Sequence, residues 1–180
     1  MNKEIFKILS LDGGGAKGFY TLGILHEVEA AVGKRLHQHF DLIFGTSTGS
    51  IIATLLAIGH SVAEIHDLYK KYVPPIMRAS GKAAKTAKLR ETGVTVFGDA
   101  GFDTVLTGLG IVSTKWQLEM PMIFKSKETQ AHGRRATFVP GFGCKLADAI
   151  EASCSAYPFF EIKSLETASG DVVELFDGGY

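Results

Sequence analysis

The stretch Phe40-Asp41-Leu42-Ile43-Phe44, followed by Gly45-Thr46-Ser47-Thr48-Gly49 and then by Ser50-Ile51-Ile52-Ala53-Thr54-Leu55-Leu56-Ala57-Ile58, decides the fold class. The first apolar run reads as a buried strand and the second as a helix. A serine between them, flanked by glycines, marks a sharp strand-to-helix turn that lifts its Oγ above the sheet edge. A side chain at Gly45 or Gly49 would collide with neighbouring backbone in so tight a bend. The helix aims its free N–H groups and the positive end of its dipole at the place where an oxyanion would form. Ser47 is therefore the candidate nucleophile. The competing reading is a glycine-bounded turn whose serine merely caps the helix, and the pentapeptide alone does not separate the two.

A second glycine loop lies upstream. Ile5-Phe6-Lys7-Ile8-Leu9-Ser10-Leu11 reads as a buried strand, and Asp12-Gly13-Gly14-Gly15-Ala16-Lys17-Gly18 follows it directly. A helix pattern then runs from about Phe19 to Val32, with Phe19, Leu22, Leu25, Val28 and Val32 on one stripe. Successive glycines at the carboxyl end of a strand expose bare amide donors, which suits a phosphate or an oxyanion. Gly13, Gly15 and Gly18 match the dinucleotide fingerprint literally, but that fold needs an acidic residue closing the second strand. Here the second strand delivers Ser47 instead. A Walker loop fails because Phe19 follows Gly18.

The third element is Asp171-Val172-Val173-Glu174-Leu175-Phe176, read as a strand, with Asp177-Gly178-Gly179 at its end. Taken alone, Asp-Gly-Gly is an ordinary turn. All three elements are expected on the carboxyl rim of a parallel sheet, where ligand sites of open α/β folds gather. The six histidines (26, 37, 39, 60, 66 and 132) fit a triad poorly, since none follows the acid. His37 and His39 lack a further ligand at metal-binding spacing.

Asp12-Gly-Gly-Gly-Ala-Lys-Gly18, Gly45-Thr-Ser-Thr-Gly49 and Asp177-Gly-Gly179, in this order, resemble the patatin-like phospholipases across essentially the whole chain. Ser153-Cys154-Ser155-Ala156-Tyr157-Pro158-Phe159-Phe160 is similar to that family's segment before the strand leading to the acid. The resemblance implies a Ser47–Asp177 dyad, with Asp177 as the base. It implies an oxyanion hole at Gly13, Gly14, Gly15 and Ala16, supported by Lys17, Gly18, Gly45, Gly49, Gly178 and Gly179, and a lipid acyl hydrolase without a metal or other cofactor. Lys17 stands where many members carry Arg, which loses a bidentate contact. The family's domain normally continues past Asp-Gly-Gly, so residues 1–180 are expected to be a single catalytic domain lacking its C-terminal part. The stretches 19–23, 65–71 and 137–143 are similar to the patatin-like effectors of bacterial anti-phage systems triggered by cyclic nucleotides (CBASS, CapV-like). That implies a cyclic dinucleotide as activator and the membrane as target.

Composition bounds the rest. At 180 residues with 46% apolar and balanced charge, the chain is one domain with a full core, and bulk attraction to nucleic acid polymers is not indicated. Cys144 and Cys154 read as small buried residues. Met1-Asn2-Lys3-Glu4 leads to no signal peptide, and no apolar run reaches a membrane span, so a cytoplasmic protein acting at the membrane surface is expected. Lys70, Lys71, Arg78, Lys82, Lys85, Lys88 and Arg90 form a basic run free of acidic residues. With Pro74 and Pro75 taken to break the preceding helix, it reads either as a mobile lid attracting anionic head groups or as a solvated loop-helix. Residues 109–114 and 120–124 read as neighbouring strands, and 145–153 as a helix. Trp116 and Phe102 read as acyl-pocket lining or as ordinary core. The expected architecture is three-layer α/β/α with a mostly parallel central sheet. The competing functions are a thioesterase of the same architecture and a nucleotide-binding module without catalysis.

Overall fold

A computed structural model describes residues 5–131, 133 and 135–180. His132 and the N-terminal Met1-Asn2-Lys3-Glu4 lie outside the described residues. The strands are β1 (Ile8–Leu11), β2 (Leu42–Thr46), β3 (Gly108–Lys115), β4 (Met120–Lys125), β5 (Lys163–Glu166) and β6 (Val172–Asp177). The α-helices are α1 (Gly18–Val32), α2 (Thr48–Ala57), α3 (Val62–Arg78), α4 (Lys82–Phe97) and α5 (Leu146–Ser153). Together they make a three-layer α/β fold, with helices on both sides of the sheet.

The sheet is mixed rather than mostly parallel. β1, β2 and β3 run parallel, whereas β4 and β6 pair antiparallel with β3, and β5 pairs antiparallel with β6. β3 is the organising strand. Its nearly continuous burial is what a strand covered on both faces requires. One edge carries β4 in a hairpin. The other edge is shared: β2 pairs with its first part up to Thr46↔Val112, and β6 takes over at Ser113↔Asp177. The carboxyl ends of β2 and β6 therefore meet head to head, so Asp177 reaches the site from an antiparallel strand and not from the rim of a parallel sheet.

β1 is shorter and less buried than its apolar sequence suggests. It begins at Ile8, and Ile5, Phe6 and Ile8 are exposed; only Leu11 is buried. As an edge strand it has one neighbour, which leaves its outer positions uncovered.

The expected break at Pro74-Pro75 does not occur. α3 continues through both prolines to Arg78. Its buried residues Val62, Ile65, Tyr69, Val73 and Ile76 keep helical spacing across them. The carbonyls that lose a donor belong to the exposed Lys70 and Lys71, where water can satisfy them. α4 starts at Lys82 and buries Thr86, Leu89, Gly93 and Phe97. The basic run thus forms the tip of a packed helical hairpin, with no loop at the prolines. Two of its cations are committed to carboxylates: Lys88 to Glu91, and Arg90 to the buried Glu151 of α5. Lys163 of β5 bonds Glu151 as well, at 2.9 Å, which ties α4, α5 and β5 together.

Phe102 is core, stacked on Phe124. Trp116 is instead partly exposed beside Tyr157 and Phe176, so the two aromatics do not share a pocket wall. Cys144 and Cys154 are both buried and unpaired. Among the described residues no helix is long and apolar enough to cross a membrane.

Candidate active site

Ser47 caps the start of α2 with φ 53° and ψ −128°. A non-glycine residue is held in such a conformation only where the surroundings over-determine it. Here three sets of contacts do so. On the far side of the turn, a Cβ on Gly49 would lie 2.6 Å from the carbonyl oxygen of Asp12 and closer still to that of Leu11. A Cβ on Gly45 would lie 2.6 Å from the Cα of Ser50. Both glycines thus allow α2 to start directly against β1 and β2. The Ser47 carbonyl accepts from the amide of Ser50 at 2.8 Å and from its hydroxyl at 2.6 Å. The Ser47 amide donates to Oγ of Ser153 at 2.9 Å, and that hydroxyl in turn donates to the carbonyl of Val112. Ser153, fully buried at the end of α5, therefore pins the turn to β3. Its role escaped sequence reading, because a serine at a helix end signals nothing by itself.

Asp177 closes β6 and is 6% exposed. Its amide donates to the carbonyl of Ser155, and its Oδ1 accepts from the amide of Gly179 at 2.8 Å. Gly178 packs so close that a Cβ would lie 2.6 Å from the carbonyl carbon of Val112. Burial pushes the Asp177 carboxyl above the ordinary carboxylate range, while the Ser47 hydroxyl and the Gly179 amide pull it back. The Ser47 hydroxyl and the carboxylate make no hydrogen bond of standard length and angle, yet they lie close enough for the hydroxyl to favour the charged form. Long contacts of this kind are common in unliganded sites. Cys154 lies beside both residues; burial, then the negative charge of Asp177, push its thiol up, so it stays neutral.

The upstream glycine loop faces the same point. A Cβ on Gly13 would come within 2.8 Å of the Ser47 Cβ and 3.5 Å of its Oγ. Gly14 and Gly15 both have positive φ, and Gly15-Ala16-Lys17 form a short 3-10 turn leading into α1. Among the described residues the amides of Gly14, Gly15 and Ala16 have no protein acceptor. Tyr69 of α3 holds the loop in place by donating its hydroxyl to the Gly15 carbonyl at 2.6 Å. Gly18 is bare because Tyr69 occupies the space where its side chain would stand. Burial raises the Tyr69 phenol to about 12, against a hydrogen bond with Thr48, so it remains a donor. Lys17 is exposed at the end of the turn.

The groups that act on the Asp177 carboxyl are Ser47 and Gly179, with no described histidine among them; His26, His60 and His66 lie beside acidic neighbours in α1 and α3. Among the described residues no cluster of three His, Cys, Asp or Glu is placed to hold a metal ion. An open pocket of about 550 Å³ lies between β4 and the 137–142 segment, and Ser47 is not part of its lining.

Comparison with known proteins bears on the family and the fold. The chain is 58% identical to a cUMP-AMP-activated phospholipase of Escherichia coli over 99% of its own length and 56% of the relative's. It is 28% identical to a cGAMP-activated phospholipase of E. coli strain TW11681, over 89% of this chain and 49% of that one. The chain thus spans about half the length of these curated relatives. Among solved structures, VipD from Legionella pneumophila superposes with a TM-score of 0.63 at 14% identity, covering 97% of this chain and 46% of VipD. A sequence profile described as patatin-like phospholipase matches residues 9–180. The chain belongs to the patatin-like phospholipase family.

Proposed function

We propose that this chain carries the catalytic dyad of a phospholipase A-type acyl hydrolase that works at a membrane surface. The observation that carries the reading is the meeting of a strained, partly exposed Ser47 with a buried, weakly acidic Asp177 beside the bare glycine loop. Ser47 Oγ attacks the ester carbonyl carbon of a glycerophospholipid while Asp177 accepts its proton. A raised carboxyl pKa makes that transfer easier near neutrality. The amides of Gly14 and Gly15, flanked by Gly13 and Ala16, hold the tetrahedral oxyanion, a contribution of about 2.7–4 kcal/mol per well-placed donor. The C–O bond then breaks, Asp177 protonates the departing lysophospholipid oxygen, and an acyl-Ser47 ester remains. Asp177 next deprotonates a water molecule that attacks this ester; the bond from the acyl carbon to Ser47 Oγ then breaks, Asp177 returns the proton to that oxygen, and the fatty acid leaves.

The two E. coli relatives are phospholipases activated by cUMP-AMP and cGAMP. We carry that to this protein as a cyclic dinucleotide activator and a membrane-degrading role in anti-phage defence.

The test is mass spectrometry of products from mixed phospholipids, with and without cyclic dinucleotides, for the wild type, Ser47→Ala and Asp177→Asn. Free fatty acid and lysophospholipid are expected from the wild type alone, and a fluorophosphonate is expected to label Ser47. Fatty acid release that survives Ser47→Ala sinks the reading. Hydrolysis confined to soluble acyl-thioesters replaces its substrate class.

A further inference from the structure

A buried carboxylate is costly unless charged partners and hydrogen bonds surround it. Glu151 of α5 is 4% exposed, and the proposed chemistry makes no use of it. Both of its oxygens are held. Oε1 accepts from Arg90 Nη2 of α4 at 2.7 Å, and Oε2 accepts from Lys163 Nζ of β5 at 2.9 Å. Arg90 Nε lies 3.2 Å from each oxygen, so the guanidinium grips the carboxylate with two nitrogens. Lys163 also bonds Asp148, one turn earlier in α5, at 2.8 Å. Well-packed apolar side chains often replace such clusters without loss of stability, so stability alone is a weak reason to keep this one. Its place in the fold supplies another.

The turn of chain that begins at Glu151 ends on both members of the dyad. Ser153 Oγ accepts from the Ser47 amide at 2.9 Å. The Ser155 carbonyl accepts from the Asp177 amide at 3.1 Å. Ser155 is itself tied back, its hydroxyl donating to the Glu151 carbonyl at 2.8 Å. The short Ser153–Ser155 stretch thus holds the serine at one end and the acid at the other. The clamp on Glu151 reaches the acid by a second route as well. Lys163 stands opposite Leu175 in the β5–β6 ladder, two residues before Asp177. The ion pair therefore joins the helix that pins Ser47 to the strand pair that carries Asp177.

We infer that Glu151 is a positioning residue for the dyad: pinned by Arg90 and Lys163, it fixes the Ser153–Ser155 turn and with it the separation of Ser47 from Asp177. The inference rests on the hydrolase reading for the purpose of that spacing, whereas the spacing itself is testable without turnover.

The experiment compares the wild type with Glu151→Gln, which keeps the shape and removes the charge, and with Lys163→Gln, which leaves Glu151 paired with Arg90 alone. In Glu151→Gln the Ser47 and Asp177 amides should both exchange hydrogen about 10-fold faster through local opening, while amides of the β3–β4 hairpin stay unchanged. With dispersed short-chain phospholipid, kcat should fall about 10²-fold at unchanged KM, the scale of an ångström's misplacement. Lys163→Gln should act in the same direction, and the double variant should fall no further than Glu151→Gln, because the two share one tie. Val62→Ala, a core truncation at the start of α3, should lower Tm without moving kcat or the exchange of those two amides. Unchanged exchange at both amides, an even rise over the whole chain, or a fall in kcat equalled by Val62→Ala overturns the proposal. So does an unaltered kcat in the variants of a wild type that turns over. If Glu151→Gln does not fold, Lys163→Gln decides by the same readings. A wild type that releases no fatty acid, with faster exchange at the two amides in Glu151→Gln, defeats only the hydrolase reading. Release by the wild type, with kcat and exchange unmoved in both variants, defeats only the role of Glu151.

Discussion

Ser47 and Asp177 stand at the ends of two strands that share one edge of β3, yet the two strand ends are built differently. At the end of β2 the backbone itself is forced: Ser47 takes φ 53°, and Gly45 and Gly49 permit approaches that no side chain would allow. At the end of β6 the backbone is ordinary, and what is unusual is the environment, a carboxyl group 6% exposed with its pKa raised by burial. In the proposed dyad the nucleophile needs its oxygen presented, and geometry would do that. The base needs its proton affinity tuned, and desolvation would do that. Damage to the first end should therefore appear as lost position or lost folding, and damage to the second as lost chemistry in an intact fold.

The largest expected effect tests the second half of that contrast. Asp177→Asn should lower kcat about 10⁴-fold, the scale seen when a catalytic acid–base partner is neutralised, while thermal unfolding shows no loss of stability. Asn removes the cost of burying a charge, so a large drop in Tm would mean that Asp177 is structural. The sign of the pH dependence follows from the raised pKa. Between the unfolded and folded carboxyl values the native state holds the extra proton, so this group's contribution to stability falls as pH rises through that window. Activity, which needs the carboxylate, should rise over the same window, with an acid limb above the usual titration range of aspartate.

Gly49→Ala tests the first half. The added methyl has no room against the carbonyls of Leu11 and Asp12, both backbone atoms that cannot rotate away. A loss of about 3 kcal/mol or more is expected, measured by urea unfolding; a neutral result breaks the account of the turn. Ser153→Ala leaves the Ser47 amide and the Val112 carbonyl without their shared partner. Expected are about 1–3 kcal/mol of destabilisation and a fall in kcat with little change in KM. A change in stability alone would reduce Ser153 to a packing residue. The smallest effect is expected from Tyr69→Phe, which removes one hydrogen bond from the Gly15 carbonyl. It should cost about 1 kcal/mol and lower kcat through a looser glycine loop, whereas a change in KM alone argues against that loop as the oxyanion site.

What could be read in advance divides along similar lines. The β2–Ser47–α2 turn and the glycine loop are local chemistry, legible because glycine and serine at fixed spacing leave few backbone solutions. The stripe of α1 and the neighbouring strands at 109–114 and 120–124 were legible from their apolar patterns, though not the antiparallel direction of the second strand. The direction of β6 was not, since Val172–Asp177 has the same residues whichever way it pairs, and only β3 decides it. Pro74-Pro75 misled because proline forbids two donors but not a helix whose freed carbonyls face water. Short β5, with Leu165 alone buried, carries too little pattern to be seen. The anchors Ser153 and Tyr69 act through backbone groups distant in sequence, and no spacing rule announces them.

The head-to-head junction on β3 makes the proposed dyad a product of long-range pairing. Ser47 and Asp177 lie far apart in sequence, and only the seating of β6 against β3, with Asp177 opposite Ser113, brings the carboxyl to the turn. Local order between β2 and α2 is therefore not enough to assemble the pair: any change that unseats β6 parts its two members while the serine keeps its place.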